Sequence, residues 1–412
     1  MNISTESRDT IPDRFRAVAH ARGDQPVLLG IEPTWTFAAL DRASDGVAAG
    51  LVEQGAEPGD RIGLYCPNTP EFVIAYLGIL KAGATVVPIN LMLNPKEIAF
   101  ILSDAGTKGL CYHQTLAEAA GQARGLVPEP GLSIRIGKGD GTDLSLDALM
   151  ATSERPPTLA LNADRDPAVI LYTSGTTGRP KGAMLSHTNL VVNTTSIRQA
   201  LSLEPGHDRL LVVLPLFHAF AATVGMLTPL LHGLGLVIVS QFDPKLVSAA
   251  IAEYGATIFL GVPSMYNLLL RLDDQARDQW ASVRFCVSGG AAMPRALMAS
   301  FEERFGIPIL EGDGPTECAP VTCVNPLAGP RKPGSVGLPI PGVELRIAGP
   351  DGPGSRMAST ARSASVAPTS CGAIGIWRHR RGKASSAIGS APATWAIRTR
   401  TVTSSWSTAS RT

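Results

Sequence analysis

Within ILYTSGTTGRPKGAMLSH (residues 170–187), four hydroxyls, two glycines and one lysine crowd into residues 173–181, directly behind the apolar run 168–172. Thr173, Ser174, Thr176 and Thr177 offer hydroxyl donors, Gly175 and Gly178 let backbone N–H groups approach an anion, and Lys181 adds a point charge. That combination suits a polyphosphate. A Walker loop is excluded, because it needs G-x4-G-K-[ST], whereas Gly175 and Gly178 stand three apart and Pro180 precedes the lysine. A polar surface turn is the plain alternative, yet such turns seldom combine these groups behind a buried strand.

Three further segments carry candidate groups. SGGAAMP (288–294) supplies Ser288, Gly289, Gly290 and Ala291, small residues that let a flat ring lie against backbone; a tight turn before a helix explains them equally well. EGDGPTE (311–317) brings Glu311, Gly312, Asp313, Gly314, Thr316 and Glu317, although a threonine and glutamate alone there read as a helix N-cap. LPLFHAF (214–220) sets His218 among apolar neighbours, where a histidine is ordinarily a satisfied core residue. His187, closing the first segment, reads as structural.

These loops need a scaffold. From Trp35 the pattern gives strand, amphipathic helix, then strand RIGLYC ending in a Pro/Asn turn, followed by helix 72–81 and strand 84–88 in the order of a βαβ crossover. After a polar connection at 154–158 and the hydroxyl-rich loop, the pattern predicts strands at 210–214, 236–239, 257–260, 283–287 and 307–310. Helices alternate with them at 244–254, 263–272 and 294–305. Such alternation predicts an α/β fold of parallel sheets covered by helices, with ligands at the carboxyl ends of strands. Residues 210–239 contain no Asp, Glu, Lys or Arg and are long enough for a membrane span. Pro215, Pro229, Gly233 and Gly235 instead break them into strand, loop, helix and strand.

With 412 residues, 44% apolar and 17% charged, the chain can bury large cores, which excludes a disordered or strongly basic nucleic-acid-binding protein. Six scattered cysteines and an N-terminus without a basic-then-apolar pattern point to a reducing cytoplasm. The net charge of +1 conceals an asymmetry: residues 353–412 hold 9 basic and no acidic side chains.

The stretch 170–187 resembles the signature loop of the AMP-forming, adenylate-forming superfamily of acyl-CoA synthetases, luciferases and peptide-synthetase adenylation domains. LKAGATVVPIN (80–90), SGGAAMP, EGDGPTE and PGSVGLPIPGVELRI (333–347) resemble other segments of the same family, so the likeness runs from about Trp35 to Asp351. It implies the family's large N-terminal domain, with stacked helix-covered sheets and a β-barrel-like subdomain. It also implies ATP, Mg2+ and CoA as cofactors, with the β- and γ-phosphates held by Thr173, Ser174, Gly175, Thr176, Thr177, Gly178 and Lys181. Ser288, Gly289, Gly290 and Ala291, with Glu311, Gly312, Asp313 and Gly314, would form the adenine side. Thr316 would contact the α-phosphate, and Glu317 with Thr176 would hold Mg2+. His218 would lie beside the acid's carboxylate, making Lys181, Thr316, Glu317 and His218 the implied catalytic residues. Asp313 departs from the pattern, since the family commonly has a tyrosine against the adenine there; the aromatic face is lost while the phosphate groups remain.

Beyond Asp351 the resemblance stops. Residues 353–412 contain no Leu, Phe, Tyr, Asp or Glu but twenty Ser/Thr and three of the five tryptophans, the composition of a disordered basic tail. A shifted reading frame explains it more sharply. If the first two bases of each codon become the last two of the intended one, suitable synonymous codons turn VAPTSCGAIG (366–375) into RGPNVMRGYW. The same shift turns residues 389–403 into WLRTGDLGYPDEDGY and 404–412 into FFVVDRIED. All three products resemble the family. The expectation is an adenylation domain at 1–352 and an out-of-frame, disordered Ser/Thr/Ala-rich tail at 353–412, with the slip between Asp351 and Val366. The family's ribose-binding aspartate then falls at Thr394 and the following arginine at Ala409, and the small C-terminal domain with its lysine is absent.

The expected activity is ATP-dependent activation of a carboxylic, fatty acid to an acyl-adenylate and then a CoA thioester, impaired in this chain. A non-catalytic ATP- or acyl-binding remnant and a luciferase-like oxidoreductase are the alternatives. The expected partners are the small-molecule acid, ATP and CoA, with no nucleic acid, no integral membrane span, and a homodimer left open.

Overall fold

Along each central strand, neighbouring apolar side chains enter different cores, as the two-residue period of a strand requires. Leu210 and Val212 join one cluster and Leu211 and Val213 a second; Ile62, Leu64, Val169 and Leu171 join the first, whereas Tyr65, Ile170 and Tyr172 join a third. Both sheets are therefore buried on both faces, which is why their strands read as unbroken apolar runs. The shared cluster is filled by helices Ile11–Arg22, Phe37–Glu53, Pro70–Lys81 and His187–Ala200. Helices Pro244–Tyr254 and Arg295–Phe305 cover the far side of one sheet, and Pro95–Ala105 and Ala117–Gly125 that of the other. The layers run α/β/α/β/α. This computed structural model describes residues 9–139, 141–152, 156–173, 179–274, 276–347, 364–367 and 375–377.

The first sheet orders its strands Gly375–Trp377, Lys181–Ser186, Pro167–Thr173, Thr85–Pro88, Arg61–Tyr65, Gly109–His113, Leu132–Ile136 and Leu144–Ser145, all in one direction except Lys181–Ser186, which pairs antiparallel with both of its neighbours. The second has a parallel centre of Pro26–Leu29, Gly235–Ile238, Arg209–Val212, Ile258–Gly261, Phe285–Ser288 and Ile309–Asp313. Antiparallel strands Trp35–Thr36, Cys323–Val324 and Leu338–Pro339 lie outside it. A separate ribbon pairs Glu344–Ile347 with Ala364–Ala367.

Helix Pro70–Lys81 shows what a central layer demands. Proline opens it, and every residue except Glu71 is buried. A methyl on Gly78 would meet Val47 at 2.5 Å, so the glycine lets this helix approach Phe37–Glu53 closely. The side chain of Lys81 is 0% exposed, and its ammonium donates to the Asp41 carbonyl at 2.8 Å and to the Asp41 and Asp45 carboxylates at 2.6 and 2.8 Å. Pairing of this completeness is what allows a charge in such a position.

His187 is structural. It is 2% exposed, and its Nδ1 accepts the N–H of Ile11, tying the first helix to His187–Ala200. Burial lowers its pKa to about 4, with Asp166 and Asp13 acting weakly in the opposite direction. The folded value lies below the unfolded one, so this contribution is present above about pH 6.5 and is lost as pH falls towards about 4, at about 1.4 kcal/mol per unit. Chemical denaturation across that window should show a steeper acid loss for wild type than for His187→Gln.

The predicted elements recur with shifted ends. Helix 263–272 ends at Leu269, because the Arg304 guanidinium takes the carbonyls of Leu270 and Leu272. Glu311, Gly312 and Asp313 lie within strand Ile309–Asp313, not beyond it, because Gly312 and Asp313 pair with Val324 and Cys323. Residues 210–239 divide into strand Arg209–Val212, π-helix Ala221–Leu227, helix Thr228–His232 and strand Gly235–Ile238. Among the described residues no helix is long and apolar enough to cross a membrane.

Candidate functional site

The hydroxyl-rich segment is flanked by two paired strands. Strands Pro167–Thr173 and Lys181–Ser186 pair antiparallel with Thr173 opposite Lys181, and the Thr173 hydroxyl reaches the Lys181 carbonyl at 3.5 Å. Tyr172 anchors the outgoing strand through a 2.7 Å hydrogen bond to Asp104. Ser174, Gly175, Thr176, Thr177 and Gly178 lie outside the described residues. Thr173 and Lys181 are both half-buried, and among the described residues the Lys181 ammonium meets no carboxylate.

The other candidates converge at the carboxyl ends of the second sheet's strands, as parallel α/β architecture favours. One cavity of about 380 Å³ is walled by His218, by Ser288, Gly289 and Gly290, and by Gly312, Asp313, Gly314 and Thr316. Its remaining wall is largely apolar and includes Ile197, Leu201, Val224, Val262, Val321 and Ile340. Three loops far apart in sequence thus open on one space. The turn Thr316–Cys318, which carries Glu317, packs against strand Lys181–Ser186 and so brings the second sheet's loop beside the strand that bears Lys181.

Local features fix each loop. Gly290 has φ +76°, which turns the chain at the end of strand Phe285–Ser288, and Gly289 packs against the Phe220 ring. A methyl on Gly314 would sit 2.0 Å from the Pro320 carbonyl oxygen, so no side chain fits there. Ala291 is exposed outside the cavity. Glu311 is 3% exposed and does not line the cavity; its Oε1 accepts the Met293 N–H at 2.9 Å, linking two of the loops. His218 is exposed to solvent at the cavity wall, not in the core, and packs at 4.5 Å on Phe217; the protein around it lowers its pKa by desolvation. Near neutral pH the imidazole is uncharged and can donate or accept one hydrogen bond.

Among the described residues no cluster of three or more His, Cys, Asp or Glu could hold a metal by itself. Glu317 stands beside strand Lys181–Ser186, and Mg2+ ordinarily needs only one or two protein carboxylates, taking its remaining oxygens from phosphate and water.

Sequence reasoning missed the groups that hold the loops in place. Asn193 bonds both the carbonyl and the N–H of Val321, and Asn325 bonds the carbonyls of Glu311 and Ser335. For Asn193 the available signal was an asparagine inside a helix, a position its propensity disfavours; Asn325, outside any helix, carries no such mark.

Comparison with known proteins agrees with this geometry. The chain is 34% identical over 85% of its length to a sulfoacetate–CoA ligase of Cupriavidus necator, spanning 69% of that protein. It is 34% identical over 77% of its length to a feruloyl-CoA synthase of Amycolatopsis sp., spanning 62% of it. Among solved structures, the anthranilate CoA ligase AuaEII in complex with anthranoyl-AMP superposes with a TM-score of 0.83 at 27% identity, over 91% of this chain and 72% of that one. Residues 15–356 match the profile of the AMP-binding enzymes, starting twenty residues before the motif-based likeness and ending close to the compositional break, and the chain belongs to that family.

Proposed function

We propose that this domain is built to activate an apolar carboxylic acid with ATP and to pass the acyl group to the thiol of CoA, and that the chain, with residues 353–412 out of frame, carries this activity in impaired form. The cavity carries the reading, because it joins a glycine- and threonine-lined rim to an apolar interior beside a neutral imidazole. A carboxylate oxygen attacks the α-phosphorus, the bond to pyrophosphate breaks, and the acyl-adenylate forms. The CoA sulfur then attacks the acyl carbonyl and AMP departs. The rim's N–H groups, the Thr316 hydroxyl and the Lys181 ammonium would stabilise charge growing on the phosphorus oxygens, and Thr173 with residues 174–178 would hold the outer phosphates. Mg2+, held through Glu317 and Thr176, would supply further charge neutralisation. His218 would orient the acid by a hydrogen bond, leaving the carboxylate its nucleophilic charge.

The apolar interior favours a fatty or other hydrocarbon acid, at about 0.8 kcal/mol per buried CH2. A sulfonate would find no cation on the cavity wall among the described residues. The five described cysteines are free and buried, and burial raises the Cys111 and Cys318 thiols to about 12, which makes them poor nucleophiles. We read residues 353–412 as out of frame, and resequencing the coding DNA across codons 345–412 tests that reading. The functional test is acid-dependent exchange of pyrophosphate into ATP with octanoate and sulfoacetate. Exchange should require octanoate and fall about 100-fold in Lys181→Ala and in Thr316→Val. ATP binding without exchange would make the chain a non-catalytic nucleotide-binding protein.

A further inference from the structure

A buried side chain of the first sheet holds the loop that carries His218. Asn68 follows strand Arg61–Tyr65, in the turn before helix Pro70–Lys81, and is 5% exposed. Its Nδ2 donates to the Leu214 carbonyl at 2.9 Å and its Oδ1 accepts the Leu216 N–H at 2.9 Å, both within the protein interior. Leu214 and Pro215 line the cavity, and the Pro215 carbonyl in turn accepts the N–H of His218 at 3.0 Å. Segment 213–218 lies between strand Arg209–Val212 and the helical turn that begins at Ala219; the His218 carbonyl accepts the Ala222 N–H at 2.9 Å, whereas the Leu214 carbonyl and the Leu216 N–H take their partners from the Asn68 amide. Of the amide's two bonds, one needs a donor and the other an acceptor at the positions a neighbouring strand would offer. A carboxylate cannot donate, and a hydroxyl cannot span both.

We propose that Asn68 is a positioning residue for the acyl side of the site, setting His218 and the adjoining cavity wall from the sheet that also bears Lys181. The inference rests on the reading of the cavity as an acid site. Asn68 contacts neither proposed substrate position, so its loss should act on the acid and spare the nucleotide.

The test compares wild type, Asn68→Ala and the isosteric Asn68→Asp by calorimetric binding of octanoate and of ATP with Mg2+, and by NMR titration of His218 assigned through His218→Gln. Both Asn68 variants should weaken octanoate by about 10-fold to 100-fold, the scale of a displaced binding group, while ATP binding stays within about 2-fold. The His218 titration should move up towards the ordinary imidazole value as the loop opens to water. Should Asn68→Ala fail to fold, Asn68→Asp keeps the volume and carries the comparison. An unchanged His218 titration, or octanoate and ATP weakened equally, would overturn the proposal. Wild type that binds neither ligand would instead defeat the acid-site reading, and the His218 titration would still decide whether Asn68 holds the loop.

Discussion

Trp280→Ala should lower the unfolding free energy by about 3–5 kcal/mol, the largest single-residue effect expected on the fold. The indole is 1% exposed and packs against Phe259, Phe301 and Phe305 at ring separations of 5.3, 5.7 and 5.1 Å. Its Nε1–H donates to the Ser248 hydroxyl at 2.8 Å, so truncation also leaves that buried hydroxyl without its donor. Phe301 and Phe305 come from helix Arg295–Phe305, which begins just after the 288–294 loop; a void there loosens the element that fixes one wall of the cavity. Urea denaturation followed by far-UV circular dichroism measures the change. A loss below about 1 kcal/mol would mean that the aromatic cluster collapses around the void, contrary to its close packing.

Gly314→Ala should have the largest effect on the site. The added methyl would lie 2.0 Å from the Pro320 carbonyl oxygen and 2.6 Å from its carbon, both backbone atoms that no rotamer change can move. The chain between strand Ile309–Asp313 and turn Thr316–Cys318 must shift, carrying Thr316 and Glu317 with it. ATP affinity should fall by about 100-fold, as expected when contact groups move by about 1 Å. Gly312→Ala, whose methyl would meet the Cys323 carbonyl at 3.0 Å, should cost much less. Calorimetry on the two variants reads the contrast. If Gly314→Ala binds ATP like wild type, Thr316 does not contact the nucleotide.

Much of the scaffold was legible because the central strands are short apolar runs separated by amphipathic helices. Helix Pro244–Tyr254 appears with the limits its proline and glycine signal. Which face of each strand meets which core was not legible, since Leu210 and Leu211 are equally apolar yet belong to different layers. The glycine-rich loops announced themselves through composition, and their convergence on one cavity with His218 agrees with strand-end placement. Ile197 and Leu201 carry no local mark of a cavity wall; only tertiary packing puts the end of helix His187–Ala200 there. Asn68 read simply as part of a turn, because its partners lie 146 and 148 residues away. Glu311 resembled a nucleotide contact by its neighbours in sequence, yet its carboxylate serves a backbone N–H on the adjacent loop.

The second sheet draws strand Pro26–Leu29 from the start of the chain and sets it beside Gly235–Ile238. During synthesis that strand emerges about 200 residues before its partner, a delay of roughly 10–40 s at about 5–20 residues per second. Val27 and Leu28, fully buried in the finished protein, must spend that interval without their sheet. The ribosome-bound chain therefore carries an open apolar strand that invites chaperone binding, and the protein's yield on expression depends on how well that interval is bridged.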